Sequence, residues 1–419
     1  MRLMTATDHL ADGPPSASMD PPAGGGALEV FGVTLGLGLI AFGGPIAHLG
    51  YFERAYVQRR RWLSPDDYAG LVALCQMIPG PASSQVSFLI GLRRAGWAGA
   101  VAAWLGFTLP SALLMFGVAW LAPRLSGPLA TAVLHGLKLV AVAVVAQAVW
   151  SMGRKLCPDL NRTALALVAA SLLLLVGGPW MQILALAIGA VGGMLFCREV
   201  EGLSKPVRLP ISRVTGLAAG VAFVLLLIGL PLASQASARS LPRLIAIFYQ
   251  AGALVFGGGH VVLPLLRDAL APGWISDPAF LAGYGAVQAV PGPLFTFAAY
   301  LGATLSPRGS DVAVRALWSA AAVVAIFLPG MLVALAGLPA WNWISHRSPA
   351  RGALAGVNAA VVGVLGAALY NPIWTGAILQ SRDLAFALIA FMLLERWRAP
   401  PILIVAFCVA AATASSFVR

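Results

Sequence analysis

From residue 28 onward the chain is a train of apolar stretches parted by short polar loops. Residues 28–42 are apolar and dotted with glycine, then break at Gly43-Gly44-Pro45. A stretch at 68–92 is interrupted by Pro79-Gly80-Pro81, and the pattern predicts further spans at about 97–121, 128–151, 163–178, 180–197 and 214–233. A polar linker covers 234–241; beyond it come a second Gly-rich break at Phe256-Gly257-Gly258 and a second interrupted stretch at 278–304. Proline removes a helical hydrogen bond and glycine relaxes the backbone, so each interruption predicts a broken helix. Inside a bilayer such backbone survives only when buried in protein or lining a wet cavity.

These interruptions occur twice. Trp62-Leu63-Ser64 matches Trp274-Ile275-Ser276 at an offset of 212, which also places Tyr68 on Phe280, Gln76 on Gln288 and Pro79-Gly80-Pro81 on Pro291-Gly292-Pro293. The Phe-Gly-Gly triplets differ by 214, and a two-residue gap after them sets His48 on His260. Matches continue at about 220: Leu134–Lys138 on Leu354–Asn358, the span from Arg162 on that from Arg382, and 180–197 on 400–417. The expected fold is an all-α polytopic membrane protein with two homologous repeats of about six helical segments. The expected division is a disordered tail at 1–27, a first repeat at 28–200, a linker with one extra transmembrane helix at 201–241 and a second repeat at 242–419. Duplicated broken segments mark secondary transporters, with the site where the repeats meet. Six spans plus the extra one invert the second copy. If 68–92 is instead a re-entrant hairpin, the basic loops share one side, but five spans and a joint leave the copies parallel. Inversion is the reading taken.

Composition agrees with a membrane class. Only 10% of the 419 residues are charged and 59% are hydrophobic, with mean hydropathy +0.86, against about 25% charged in soluble proteins. The net charge of +12 sits in short loops, which fits positive-inside bias or attraction of an anion and not nucleic acid. Cys75, Cys157, Cys197 and Cys408 are scattered, without disulfide or metal spacing. There is no GxxxxGK[ST] or HExxH motif, so neither nucleotide hydrolysis nor an embedded metalloenzyme is expected; cofactors and metal are none. Residues 1–27 are polar and Pro/Gly-rich, unlike a signal peptide.

Ala41-Phe42-Gly43-Gly44-Pro45 with His48, Gln76-Met77-Ile78-Pro79-Gly80-Pro81, Phe256-Gly257-Gly258-Gly259-His260-Val261-Val262-Leu263-Pro264-Leu265 and Gln288-Ala289-Val290-Pro291-Gly292-Pro293 together resemble the chromate ion transporter family, in its long two-domain form. The resemblance covers nearly all of the chain after residue 27. It implies export of chromate, a tetrahedral oxyanion, across the bacterial inner membrane, linked to membrane energy and sensitive to sulfate. The open alternatives are a sulfate or related oxyanion permease and a passive anion channel. The expected partners are that oxyanion and the lipid bilayer, with a homodimer admissible.

A tetrahedral dianion at the midplane needs donors on all sides and little negative charge. The candidate lining is Gly43, Gly44, His48, Gln76, Pro79, Gly80, Pro81, Ser83 and Ser84 from the first copy, and Gly257, Gly258, His260, Gln288, Pro291, Gly292, Pro293 and Thr296 from the second. Backbone N–H groups at the turns and at the half-helix after Pro81, with serines as caps, are candidate donors. Packing kinks without ligand contact are the plainer reading of the turns. His48 and His260 are candidate donors or proton carriers, or else helix-end histidines bonded to a carbonyl. Gln76 and Gln288 either donate to the ion or tie half-helices together. Lys138 is a candidate counter-charge inside a span, unmatched by neutral Asn358. Arg54 and Arg267 are candidate steering charges or topology-setting loop residues, and Trp62 and Trp274 candidate interface anchors.

Overall fold

The computed structural model describes residues 25–42, 44–121, 127–176, 179–197, 211–234, 239–256, 259–271, 273–345 and 348–417. Gly43, Gly257 and Gly258 lie outside the described residues, as does most of the tail. Among the described residues every regular element is a helix. In chain order they are α1 (Ala27–Ile40), α2 (Gly44–Phe52), the π-helical turn Glu53–Arg59, α3 (Pro65–Met77), α4 (Ala82–Leu121), α5 (Pro128–Leu156), α6 (Leu160–Leu175), α7 (Pro179–Phe196) and α8 (Arg213–Ala233). They continue as α9 (Leu241–Ala253), a 3-10 turn Gly259–Val261, α10 (Val262–Leu270), α11 (Asp277–Val287), a 3-10 turn Leu294–Thr296, α12 (Phe297–Leu305), α13 (Val312–Ser345), α14 (Ser348–Ala368), the π-helical turn Leu369–Trp374, α15 (Thr375–Ala377), α16 (Ser381–Glu395) and α17 (Pro401–Phe417). Side-chain caps start several of them: Ser64 accepts from Asp67 N–H ahead of α3, and Asp159, Ser212 and Ser240 do the same for α6, α8 and α9.

Polar contacts sort the helix ends into two groups. At the first end Gly25 N–H donates to Arg94 O, Arg94 pairs with Glu29 at 3.2 Å and Arg93 with Asp67 at 2.8 Å. Asn161 joins the same end of α6 to Phe196 O of α7. At the second end Arg267 forks onto both Asp277 oxygens at 3.0 Å, Gln182 donates to Asp268 at 2.6 Å, Arg239 to Gly273 O and Arg382 to Ser415 O. Followed from end to end, α1 runs inward from the first end and α2 with its π turn runs back. The next pair, α3 and the start of α4, does the same, and α4 then reverses at Ala95-Gly96. Gly91 and Gly99 face each other there: a Cβ on either meets the other's carbonyl at 2.3 Å. The pairs α9–α10 and α11–α12 enter from the second end. The remaining long helices cross between the ends.

Among the described residues five helices are long and apolar enough to cross a membrane. The extra helix α8 is the least covered, with Leu217, Val221, Leu225 and Ile228 exposed, as a lipid-facing surface requires. The two halves interlock: α5 packs on α16 and α17, and α14 on α6 and α7.

Trp62 departs from the expected interface anchor. It is buried, stacked on Tyr56 with ring centroids 5.3 Å apart, and Arg94 lies over its ring at 5.2 Å; cation–π contact and burial hold it inside the protein. Arg267 is tied to Asp277 rather than free. Its partly exposed pair contributes up to about 1 kcal/mol, so Arg267→Gln is expected to lower the thermal midpoint slightly and leave substrate affinity unchanged. A melting curve beside a saturation curve checks both.

Candidate functional site

The broken segments meet at the centre through two reciprocal backbone bonds. Gly80 N–H donates to Val255 O at 2.7 Å, and Gly292 N–H donates to Ala41 O at 2.9 Å. Each turn glycine is thus bonded to the carbonyl two residues before the Gly-Gly pair of the other half. Both turns need positive φ, +121° at Gly80 and +103° at Gly292, a conformation that side chains oppose. These two N–H groups are engaged by protein and are not free donors for a ligand. Neither serine caps α4: Gln85 Nε2 instead donates to Pro79 O and Gly330 O, each at 2.8 Å, closing the Pro79–Pro81 turn. Ser84 Oγ is buried without a hydrogen-bond partner. In the second turn Thr296 donates to Pro293 O at 2.8 Å.

The paired histidines part company. His48 is 1% exposed; its Nε2 lies 3.0 Å from Ala41 O and its Nδ1 3.3 Å from Ser83 Oγ. A carbonyl only accepts, so Nε2 carries the proton and the Ser83 hydroxyl donates to Nδ1 in the neutral ring. This ring buckles the first break to α4. His260 lies 2.6 Å through Nδ1 from the Tyr284 hydroxyl and lines a cavity.

That cavity is about 380 Å³ and runs from the α16–α17 joint, at the first end, to the second turn. Phe42, Ala47 and Tyr51 wall one side, Val144 and Gln147 of α5 another. Gln288, Gly292 and Leu294 form its inner limit, and Arg398 to Pro401 its mouth. Gln288 is buried and its Nε2 has no partner, an uncommon condition for an amide unless it serves a ligand or water. Among the described residues no carboxylate lines the cavity; nearby Glu395 accepts from Gln147 at 3.2 Å. The wall therefore offers imidazole, amide and guanidinium groups to an anion.

Gln76 is exposed and does not join Gln288. Gly44 opens α2, and Pro79, Gly80, Pro81, Ser83, Ser84, Pro291 and Pro293 belong to the crossing without lining this cavity. Arg54 is exposed in the π turn at the first end, and Lys138 lines a separate cavity at the second. Arg398, Tyr51, Gln147 and Tyr284 escaped the sequence reading. Arg398 has no basic counterpart one repeat back, so duplication did not mark it. Among the described residues no cluster of three His, Cys, Asp or Glu groups is placed to hold a metal ion.

The family profile for chromate transporters matches residues 28–194 and again 242–413. The chain belongs to the chromate transporter family. It is 30% identical over 374 residues to the chromate transport protein of Pseudomonas aeruginosa, covering 87% of this chain and 84% of that one. The chromate transport protein of Cupriavidus metallidurans is 26% identical, with 79% of each chain covered. An uncharacterized transporter of Methanocaldococcus jannaschii is 24% identical over 81% of this chain and 82% of its own. Family membership points to a multi-pass membrane transporter rather than an enzyme. All four cavity walls fall within the two matched stretches.

Proposed function

We propose that this family member is a secondary active transporter exporting chromate, or a closely similar tetrahedral dianion, from the bacterial cytoplasm across the inner membrane. The observation that carries the reading is the central crossing with a cavity that has no carboxylate among its described lining residues and ends at Gln288, whose Nε2 has no hydrogen-bond partner. His260, Gln288 and Arg398 hold the ion in this reading, while Gly80, Gly292, His48 and Ser83 hold the crossing. Residues 28–200 and 242–419 act as inverted repeats about that crossing, joined through 201–241.

The helix directions support inversion and remove its conflict with loop charge. If both broken pairs of each repeat are re-entrant, each repeat crosses four times and α8 once. Each repeat then starts and ends on one side, and α8 turns the second over. Arg54, Arg59, Arg60, Arg61, Arg93, Arg94, Arg154, Lys155, Arg162, Arg213, Arg351, Arg396 and Arg398 gather at the first end, with Arg239, Arg243, Arg267, Arg308, Arg315 and Arg382 at the other. Positive-inside bias makes the first end cytoplasmic, so the 380 Å³ cavity faces the cytoplasm. His260, which faces that cavity, carries any coupled proton; His48, with both ring nitrogens bonded, does not.

The test is labelled chromate uptake into inside-out vesicles with and without an imposed proton gradient. Energised uptake is expected, with its pH profile altered in His260→Gln and not in His48→Gln. Entry confined to right-side-out vesicles would overturn export.

A further inference from the structure

We infer that a second oxyanion site lies at the outer end of the protein, in a cavity built around Lys138 and Arg382 and separated from the central one by a close helix crossing. This rests on the transporter reading above and extends it to the opposite face. The cavity is about 740 Å³ and is bounded by the start of α5, the start of α11, the start of α16 and the end of α17. Its inner limit is the approach of α11 to α5 at Gly285, where a Cβ would come within 2.0 Å of Leu137 O.

Three basic groups line it: His135, Lys138 and Arg382. Among the described residues its one lining carboxylate, Asp383, is occupied. That group is 4% exposed and accepts from His135 Nε2 at 2.9 Å and from the N–H groups of Leu379 and Gln380 at 3.0 Å each. Four acceptor positions on a carboxylate are thus largely used, and none goes to Lys138 or Arg382. Arg382 donates to Ser415 O at 3.3 Å, a neutral acceptor. Lys138 has neither hydrogen bond nor ion pair among the described residues and sits within a helix apolar enough to span a bilayer. A cation at such depth costs about 2.5–3.5 kcal/mol unless it faces water or a counter-ion. The cavity has room for either, and the ligand chemistry that satisfies two cations beside ring and hydroxyl donors is a small multivalent oxyanion. The other repeat lacks these basic groups: Ala355 stands for His135 and Asn358 for Lys138.

Thiol protection tests this in the full-length membrane protein. Ser276 lines the cavity and is exposed, and its hydroxyl makes no cap bond, so Ser276→Cys is a mild probe. Wild-type chain gives the background: Cys75, Cys197 and Cys408 are buried, and the half-buried Cys157 lies at the opposite, first end. An impermeant maleimide is applied to right-side-out vesicles, with sodium sulfate against sodium chloride at equal ionic strength. Near-saturating sulfate is expected to slow labelling about threefold or more. Adding Lys138→Gln or Arg382→Gln is expected to abolish protection while labelling in chloride stays unchanged. Equal protection in those variants, or protection confined to inside-out vesicles, would overturn the site. A lipid phosphate is separated by lipid composition: if sulfate acts only in vesicles of pure phosphatidylcholine, the soluble-oxyanion assignment falls. Chromate flux in the same vesicles distinguishes the failures. Flux without protection removes this site and leaves transport; protection without flux removes transport and leaves the site.

Discussion

Gly80→Ala is expected to abolish chromate flux and to leave little folded protein after extraction. The substitution meets two obstacles. The turn holds φ at +121°, and the added Cβ would stand 2.7 Å from Gly330 Cα, which is backbone and cannot rotate away. Strain and overpacking together reach about 3–5 kcal/mol, a large share of a net stability of about 5–15 kcal/mol. Gly309 is the control. Its φ is +78° but nothing lies within 4 Å of its Cβ position, so Gly309→Ala carries only the backbone strain, about 1–2 kcal/mol. Size-exclusion profiles and vesicle flux of the two variants separate turn strain from the close crossing. Equal behaviour would mean that the crossing at Gly80 is not critical.

Gln288→Leu is expected to raise the half-saturating chromate concentration about 10- to 100-fold. A hydrogen bond to a charged group is worth about 1.5–3 kcal/mol, and each 1.4 kcal/mol is tenfold in binding. Folding should tolerate the change, because the replaced amide nitrogen has no partner to abandon. Gln76→Leu, at the matching position of the first copy, is expected to change little, since that side chain is exposed away from the cavity. Concentration dependence of initial uptake for both variants is the check. Parallel loss in the two would favour a symmetric site with both glutamines on the ion.

Much of the helical, membrane-embedded fold was legible because lipid-facing and broken stretches leave plain marks in the sequence. Pro79-Gly80-Pro81 and Pro291-Gly292-Pro293 announced the turns, and their separation paired them. Local pattern could not say what the turns touch. The bonds from Gly80 to Val255 and from Gly292 to Ala41 span the length of a whole half-chain, and no short-range signal encodes them. For the same reason duplication suggested equal roles for His48 and His260, whereas the structure buries one and opens the other to a cavity. Asymmetric residues were harder still. Arg398 stands in a loop beside α17 with φ of 52°, and only the packing of α16 and α17 against α5 brings it to the cavity mouth. Lys138 was visible as a charge among apolar neighbours and His135 lies one turn before it on α5, but Arg382 and Asp383 reach it from α16, in the other half of the chain.

The most direct measurement is the initial rate of labelled chromate uptake at limiting concentration, in inside-out vesicles carrying wild-type protein or the double variant Gln288→Leu, Arg398→Gln at equal abundance. Anion passage through the central cavity is expected to make the wild-type rate saturable and blocked by excess sulfate, and to bring the double variant to the level of empty vesicles. A double variant that is folded, correctly inserted and transports chromate at the wild-type rate would contradict it.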